Sequence, residues 1–234
     1  MAPMTPSEAP SRLTDVRVWD LPTRVFHWTL ALAIVGSVLS AKIGGGAMVW
    51  HFRCGFVVFA LLAFRALWGL VGGRWSRFSS FAYAPATLLR YLRGGSRADE
   101  HHEVGHSPLG SLSVFALLGL LALQVATGLV ADDEIASVGP LNRFVGSAAA
   151  GQATYWHKNF GQWIVLALVA LHVGAVLFYL WGRGRNLLLP MIVGDKPLPA
   201  GTPAAVDSGA RRLLALVLLA LCAAGVGWVA SLGG

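Results

Sequence analysis

Five apolar stretches, near residues 26–43, 52–71, 109–130, 159–181 and 213–231, leave this chain few ways to fold. Each is about 20 residues long, the length a helix rising about 1.5 Å per residue needs to cross a hydrocarbon core about 30 Å thick. Inside such a core each backbone N–H and C=O has to be paired within its own segment, which helices achieve. All eleven acidic residues lie outside these stretches, and of the eighteen Lys and Arg only Arg65 lies clearly inside one. Charged residues make up 12% of the chain, about half the share of a soluble domain. The expected fold class is all-α integral membrane.

The polar segment 1–24 precedes the first apolar stretch, and does not have the form of a short cleavable signal peptide. Lys and Arg in the segments joining the five helices alternate in density, thirteen in one set against four in the other. The positive-inside tendency then puts the N-terminus and the 72–108 and 182–212 loops in the cytoplasm, with 131–158 facing outward, as in a multi-pass protein of the bacterial inner membrane. The net charge of +7 sits where an anionic leaflet of membrane lipids would meet it, so no nucleic-acid partner is expected. Cys54 and Cys222 lie on different helices without CxxC spacing and read as small apolar packing residues.

The histidines sort by depth. His27 opens the first helix on the inner side. His51 opens the second on the outer side, because that helix runs the other way. His157 opens the fourth on the outer side, and His172 lies past its middle. On one ideal helix these last two are about 22 Å apart along the axis and about 60° apart around it. His27 and His172 therefore share an inner level, and His51 and His157 an outer one. Imidazoles at membrane depth need a partner or a purpose. Two pairs at two depths are what two stacked b-type haems require, since two neutral imidazoles fill both axial positions of an iron without adding charge. Zinc or copper would draw three or four ligands to one depth.

The motifs "WDLPTRVFHW", "HFRCG", "FRALWG", "GHSPLG" and "NLLLPMIVGDKP", taken with the histidine-bearing fourth helix, resemble bacterial cytochrome b561 and the b-type cytochrome subunit of membrane nickel-iron hydrogenases, over roughly residues 17 to 200. The resemblance implies a four-helix haem-binding bundle carrying two haem b groups. Such a bundle passes electrons between the quinone pool and a periplasmic c-type cytochrome or other redox subunit. It implies His27 and His172 as ligands of the inner haem iron, and His51 and His157 as ligands of the outer one. The organisation expected is a cytoplasmic N-terminal segment 1–24, a di-haem core 25–195, a flexible linker 196–211 and a fifth transmembrane helix 212–234. That fifth helix is extra to the four-helix core, and reads either as an anchor or partner contact or as a lipid-facing element. The fifteen-residue separation of His157 and His172 is one longer than the resemblance leads one to expect, and a π-bulge or a loosened first turn would absorb the difference.

Arg24 and Arg65 could each pair a haem propionate, the alternative for Arg65 being to snorkel to the interface. His106, in "GHSPLG", reads either as a hydrogen-bond donor and proton source for a quinone headgroup or as a solvated residue near a helix cap. His101 and His102 lie among charges and are expected to be wet. Asp132, Asp133 and Glu134 form either a steering patch for a basic partner or a solvated face. The same resemblance implies a second activity class, superoxide oxidation at the outer haem with delivery to ubiquinone, which basic Lys42 and Arg53 near His51 would suit, whereas the adjacent acidic triplet argues for a cationic protein partner. A membrane scaffold or small transporter would bind no haem and would tolerate His172→Ala.

Overall fold

The computed structural model describes residues 12–95 and 102–233. His101 and the first eleven residues of the N-terminal segment lie outside the described residues. In chain order the elements are β1 (Leu13–Arg17), α1 (Leu21–Ile43), α2 (Met48–Val71), α3 (Pro85–Leu92), α4 (Pro108–Val130), α5 (Ser147–Tyr155), α6 (Gln162–Leu177), α7 (Leu188–Val193), β2 (Asp195–Pro199) and α8 (Gly209–Ser231). Among the described residues five helical runs are long and apolar enough to cross a membrane: Leu21–Ile43, Gly45–Val71, Pro108–Val130, Ser147–Gly182 and Gly209–Ser231. They fall on the five stretches read from the sequence.

The boundaries follow from local chemistry. Asp20 caps α1, accepting the Thr23 N–H at 2.8 Å, with Pro22 in the first turn. Gly44, at φ 69°, ends the helix in a conformation that a residue with a Cβ rarely adopts. Ser107 and Pro108 start α4 in the same manner as Asp20 and Pro22 start α1. The fourth run begins earlier than the expected residue 159, because "SAAAGQATY" is helix-forming without being strongly apolar. Its 36 residues span about 54 Å, well beyond a bilayer core, so its first turns project from the membrane.

α1 packs along α2, and α8 packs against α2 as well. Phe26 and Leu30 of α1, Leu61, Phe64 and Trp68 of α2 and Ala215 of α8 belong to one buried cluster, with Leu218, Leu219 and Cys222 of α8 against it. The fifth helix therefore packs on α2 along one face, while Leu213, Leu216, Leu221 and Trp228 turn outward. Gly225 and Gly227 of its "CAAGVGWVA" stretch face open space, and the buried residue of that stretch is Val226. α6 packs against α4, and α4 in turn touches α2. The α1–α2 pair and the α4–α6 pair lie side by side, with Lys42 of α1 bonded to Gln162 at the start of α6.

One end of the bundle carries a β-ribbon. β1 and β2 pair antiparallel, from Leu13 opposite Pro199 to Arg17 opposite Asp195. Val16, Val18, Trp19, Trp75, Val104, Leu198 and Ala205 form a second small core beneath it. Asp207 accepts from Arg212 Nε at 3.0 Å and from the Leu21 N–H at 3.2 Å, and the Ala205 N–H donates to the Arg17 carbonyl at 2.7 Å. The stretch read as a flexible linker is thus held against the bundle, because Leu198 and Ala205 bury and Asp207 finds partners. Pro and Gly in that stretch suggested a loose tether, whereas Pro197 and Pro199 sit in a strand that pairs with β1, and the Pro203 carbonyl accepts from Trp75 Nε1 at 2.8 Å.

Candidate functional site

The histidines meet between these two helix pairs. At the ribbon end His27 of α1 faces His172 of α6, with ring centres 6.3 Å apart and planes inclined by 52°. At the far end His51 of α2 faces His157, with ring centres 6.0 Å apart and planes perpendicular at 90°. The two pairs expected to share a level are thus brought face to face. Among the described residues no three His, Cys, Asp or Glu side chains converge as a metal-binding group.

His157 sits in a π-helical turn, Trp156–Gly161, between α5 and α6. An uninterrupted α-helix would leave positions fifteen residues apart about 60° out of line, and one residue taken up in a wider turn brings them to about 40° on the other side. The far-end rings are oriented through their Nδ1 atoms. His51 Nδ1 lies 3.0 Å from the Ser37 carbonyl and 3.1 Å from its hydroxyl, and His157 Nδ1 lies 2.9 Å from the Gln124 carbonyl. A carbonyl only accepts, so each Nδ1 carries the proton, and the Nε2 lone pair of each ring is left for another group. Gly128 makes room for the His157 ring: a Cβ there would stand 2.9 Å from Cε1.

The ribbon-end pair is surrounded by cations and aromatic rings. Arg65 is 4% exposed, stacks on Phe78 at 4.6 Å, and has an enclosed Nη1 without a hydrogen-bond partner. It does not snorkel. Arg24 reaches α7, donating from Nη1 to the Ile192 carbonyl at 2.5 Å, and its enclosed Nε has no partner. His106 is half-buried between Trp19 and Phe81, at 4.8 and 4.5 Å between ring centres. Burial first, then Arg65, His172 and His27, push its pKa down to about 3. The ring is therefore neutral at physiological pH; it can donate a hydrogen bond, but it holds no proton to give away as a cation. The solvated reading of His106 does not hold, and neither does that of His102, which is buried between Tyr83 and Tyr91.

One buried residue that sequence reasoning passed over organises this end. Asp20 is wholly buried and accepts from Trp68 Nε1 at 3.2 Å, the Gly73 N–H at 3.0 Å and Ser76 Oγ at 2.8 Å, besides capping α1. A buried carboxylate is tolerable when its lone pairs are all engaged, and here they join α1, the end of α2 and the following loop. Gly73 is required by that approach, since a Cβ would come within 2.3 Å of Oδ2. The signal was an acidic residue set directly before a Pro-containing helix start. At the far end, Asp133 Oδ1 accepts from the N–H groups of Ile135, Ala136 and Ser137 at 2.8–3.0 Å, and Lys42 lies over Trp163 at 4.9 Å.

Fold and site together define a multi-pass helical membrane protein with paired histidines held between two helix pairs. Residues 18–194 match the model of prokaryotic cytochrome b561, and the chain belongs to that family. It is similar to a probable Ni/Fe-hydrogenase B-type cytochrome subunit of Rhodobacter capsulatus, 25% identical over 81% of this chain and 84% of the relative. The corresponding protein of Cupriavidus necator is 27% identical over 68% of this chain and 78% of its own length. No solved structure matches the chain significantly. It is a membrane-bound electron carrier of the cytochrome b type, in the bacterial inner membrane.

Proposed function

We propose that the chain is a di-haem b-type cytochrome, with His27 and His172 the axial ligands at the ribbon end and His51 and His157 those at the far end. The spacing of the rings carries this reading. A bond of about 2 Å from metal to imidazole nitrogen on each side, plus the half-width of each ring, separates the two ring centres by about 6.3 Å. The observed 6.3 and 6.0 Å leave room for an iron between the rings of each pair. The unpaired Nη1 of Arg65 and Nε of Arg24 suit a propionate carboxylate, since a buried guanidinium without an acceptor is costly.

Haem supplies the one-electron chemistry when bound. The chain's part is to hold neutral imidazoles in one tautomer, enclose them between the helix pairs and place cations beside the ribbon-end site. Its domains are a cytoplasmic N-terminal segment, the four-helix di-haem core 25–195, the connection 196–211 and the fifth helix 212–234. The ribbon end faces the cytoplasm, and His106, neutral and enclosed beside the His27–His172 pair, donates a hydrogen bond to a quinone headgroup there. The far end faces the periplasm, where a c-type cytochrome or another redox subunit exchanges electrons. Haem content per chain, measured by alkaline pyridine spectrum on detergent-purified protein, tests the reading. Two haems are expected, falling to one in either His157→Ala or His172→Ala; a haem-free wild type would sink it.

Superoxide oxidation at the far end is a second reading, favoured by Lys42 over Trp163 and Arg53 over Trp50, two cations on the helices that flank His51. Steady superoxide consumption by the pure protein with quinone as sole acceptor separates it from the relay.

A further inference from the structure

We propose that Gln124 is a positioning residue for His157: from α4 it clamps the widened turn, so that a histidine pair spaced one residue too long still presents both rings to their partners. This rests on the di-haem reading. A π-turn loosens the carbonyls it contains, and inside a membrane they need new donors. Three side-chain amides meet them here. Asn159 Nδ2 donates to the Tyr155 carbonyl at 3.1 Å, Gln162 Nε2 donates to the Lys158 carbonyl, and Gln124 Nε2 donates to the His157 carbonyl at 2.9 Å.

Asn159 and Gln162 belong to the turn itself and its immediate continuation, and Gln162 Oε1 also accepts from Lys42 Nζ of α1 at 3.3 Å; Gln124 comes from another helix and, of the three, is the one that holds the His157 residue itself. It grips His157 twice. Its side chain holds the backbone carbonyl, and its own backbone carbonyl accepts from the ring Nδ1 at 2.9 Å. The fit is close: a Cβ on Gly161 would lie 1.9 Å from Gln124 Oε1, so a glycine at this point admits the amide. Oε1 is enclosed and without a partner, which leaves the N–H as the working half of the group. Thr127 Oγ1, 3.4 Å from the same Nδ1, stands a turn further along α4.

Carbon monoxide reports the clamp without any measurement of activity, because a reduced haem iron with both axial positions held by histidine offers it no site. In the purified full chain, the wild type is expected to hold two haems, neither reactive. Gln124→Leu, and independently Gln124→Glu, which keeps the shape but loses the N–H, should leave the ribbon-end haem unchanged. In each, the far-end haem should become reactive, taking the reactive count from none to one per chain, or be lost, taking the haem content from two to one. Deleting Asn159 restores the shorter spacing and removes the need for the clamp, so Gln124→Leu in that background should add no reactive haem. A wild type with two haems and Gln124 variants that keep both haems, each inert to carbon monoxide, would overturn the inference alone. So would an equal effect of Gln124→Leu with and without the deletion. A wild type with no haem would overturn the reading beneath it.

Discussion

Arg65 is the residue whose placement is hardest to explain without a ligand. A guanidinium 4% exposed, stacked on Phe78 and with one nitrogen unpaired, keeps its charge only if something nearby repays the desolvation. Asp20 offers part of that, but its oxygens are already engaged by Trp68, Gly73, Ser76 and Thr23. A cation beside a haem iron disfavours the ferric state. Arg65→Gln is accordingly expected to lower the midpoint potential of the ribbon-end haem by roughly 60 mV, one tenfold step for a one-electron couple, and to leave the far-end haem where it was. A redox titration resolving the two haems checks this, and an unchanged ribbon-end potential would remove Arg65 from that site. Arg65 was visible in the sequence as the sole charge within an apolar stretch. Gln124, the one amide in the apolar run of α4, was equally visible and was not read, because nothing in a single sequence says which neighbouring helix an amide will face.

At the scale of elements, the far-end loop shows what a carboxylate does without burial. Asp133 accepts three backbone N–H groups, from Ser137, Ala136 and Ile135, and these hold its pKa down to about 2 from an ordinary 3.8. A depressed folded-state pKa means that its contribution to loop order is complete above pH 3.8 and is lost as pH falls through about 2. Asp133→Ala should release the loop at neutral pH, while Asp133→Asn, which retains the acceptor, should not; amide exchange of residues 135–137 distinguishes them. Loop order surviving in the alanine variant would show that the turn is held by other means. The spanning helices could be read from hydropathy alone, since their length is set by the membrane. The ribbon, α3 and α7 could not, because "LTDVR" and "DKPLP" become strands only by finding each other across the chain.

The whole molecule has a polarity that the charge pattern predicts. The ribbon end carries the basic loops, and the far end carries the acidic loop around Asp133. In a background lacking Cys54 and Cys222, Ile135→Cys should react with an impermeant thiol reagent in intact spheroplasts, and Ser79→Cys only after the membrane is opened. The reverse pattern would invert the orientation and exchange the sides assigned to quinone and redox partner. The order of these helices along the chain, and the pairing of histidine depths that follows from it, was legible from spacing and direction alone. The inclusion of α8 in the bundle was not, since its packing face against α2 is made of alanine, leucine and cysteine, which lipid would serve as well.

The ribbon also sets a timetable for synthesis. Leu13 waits for Pro199, and at about 5–20 residues per second the two are made roughly 10–40 s apart. The small core beneath the ribbon and the Asp207 contact to the start of α1 can form only after the fourth span has left the ribosome. The first half of the protein must therefore stand in the membrane with its N-terminal strand single, and closure of the ribbon marks the moment at which the nascent chain has delivered every histidine of both pairs.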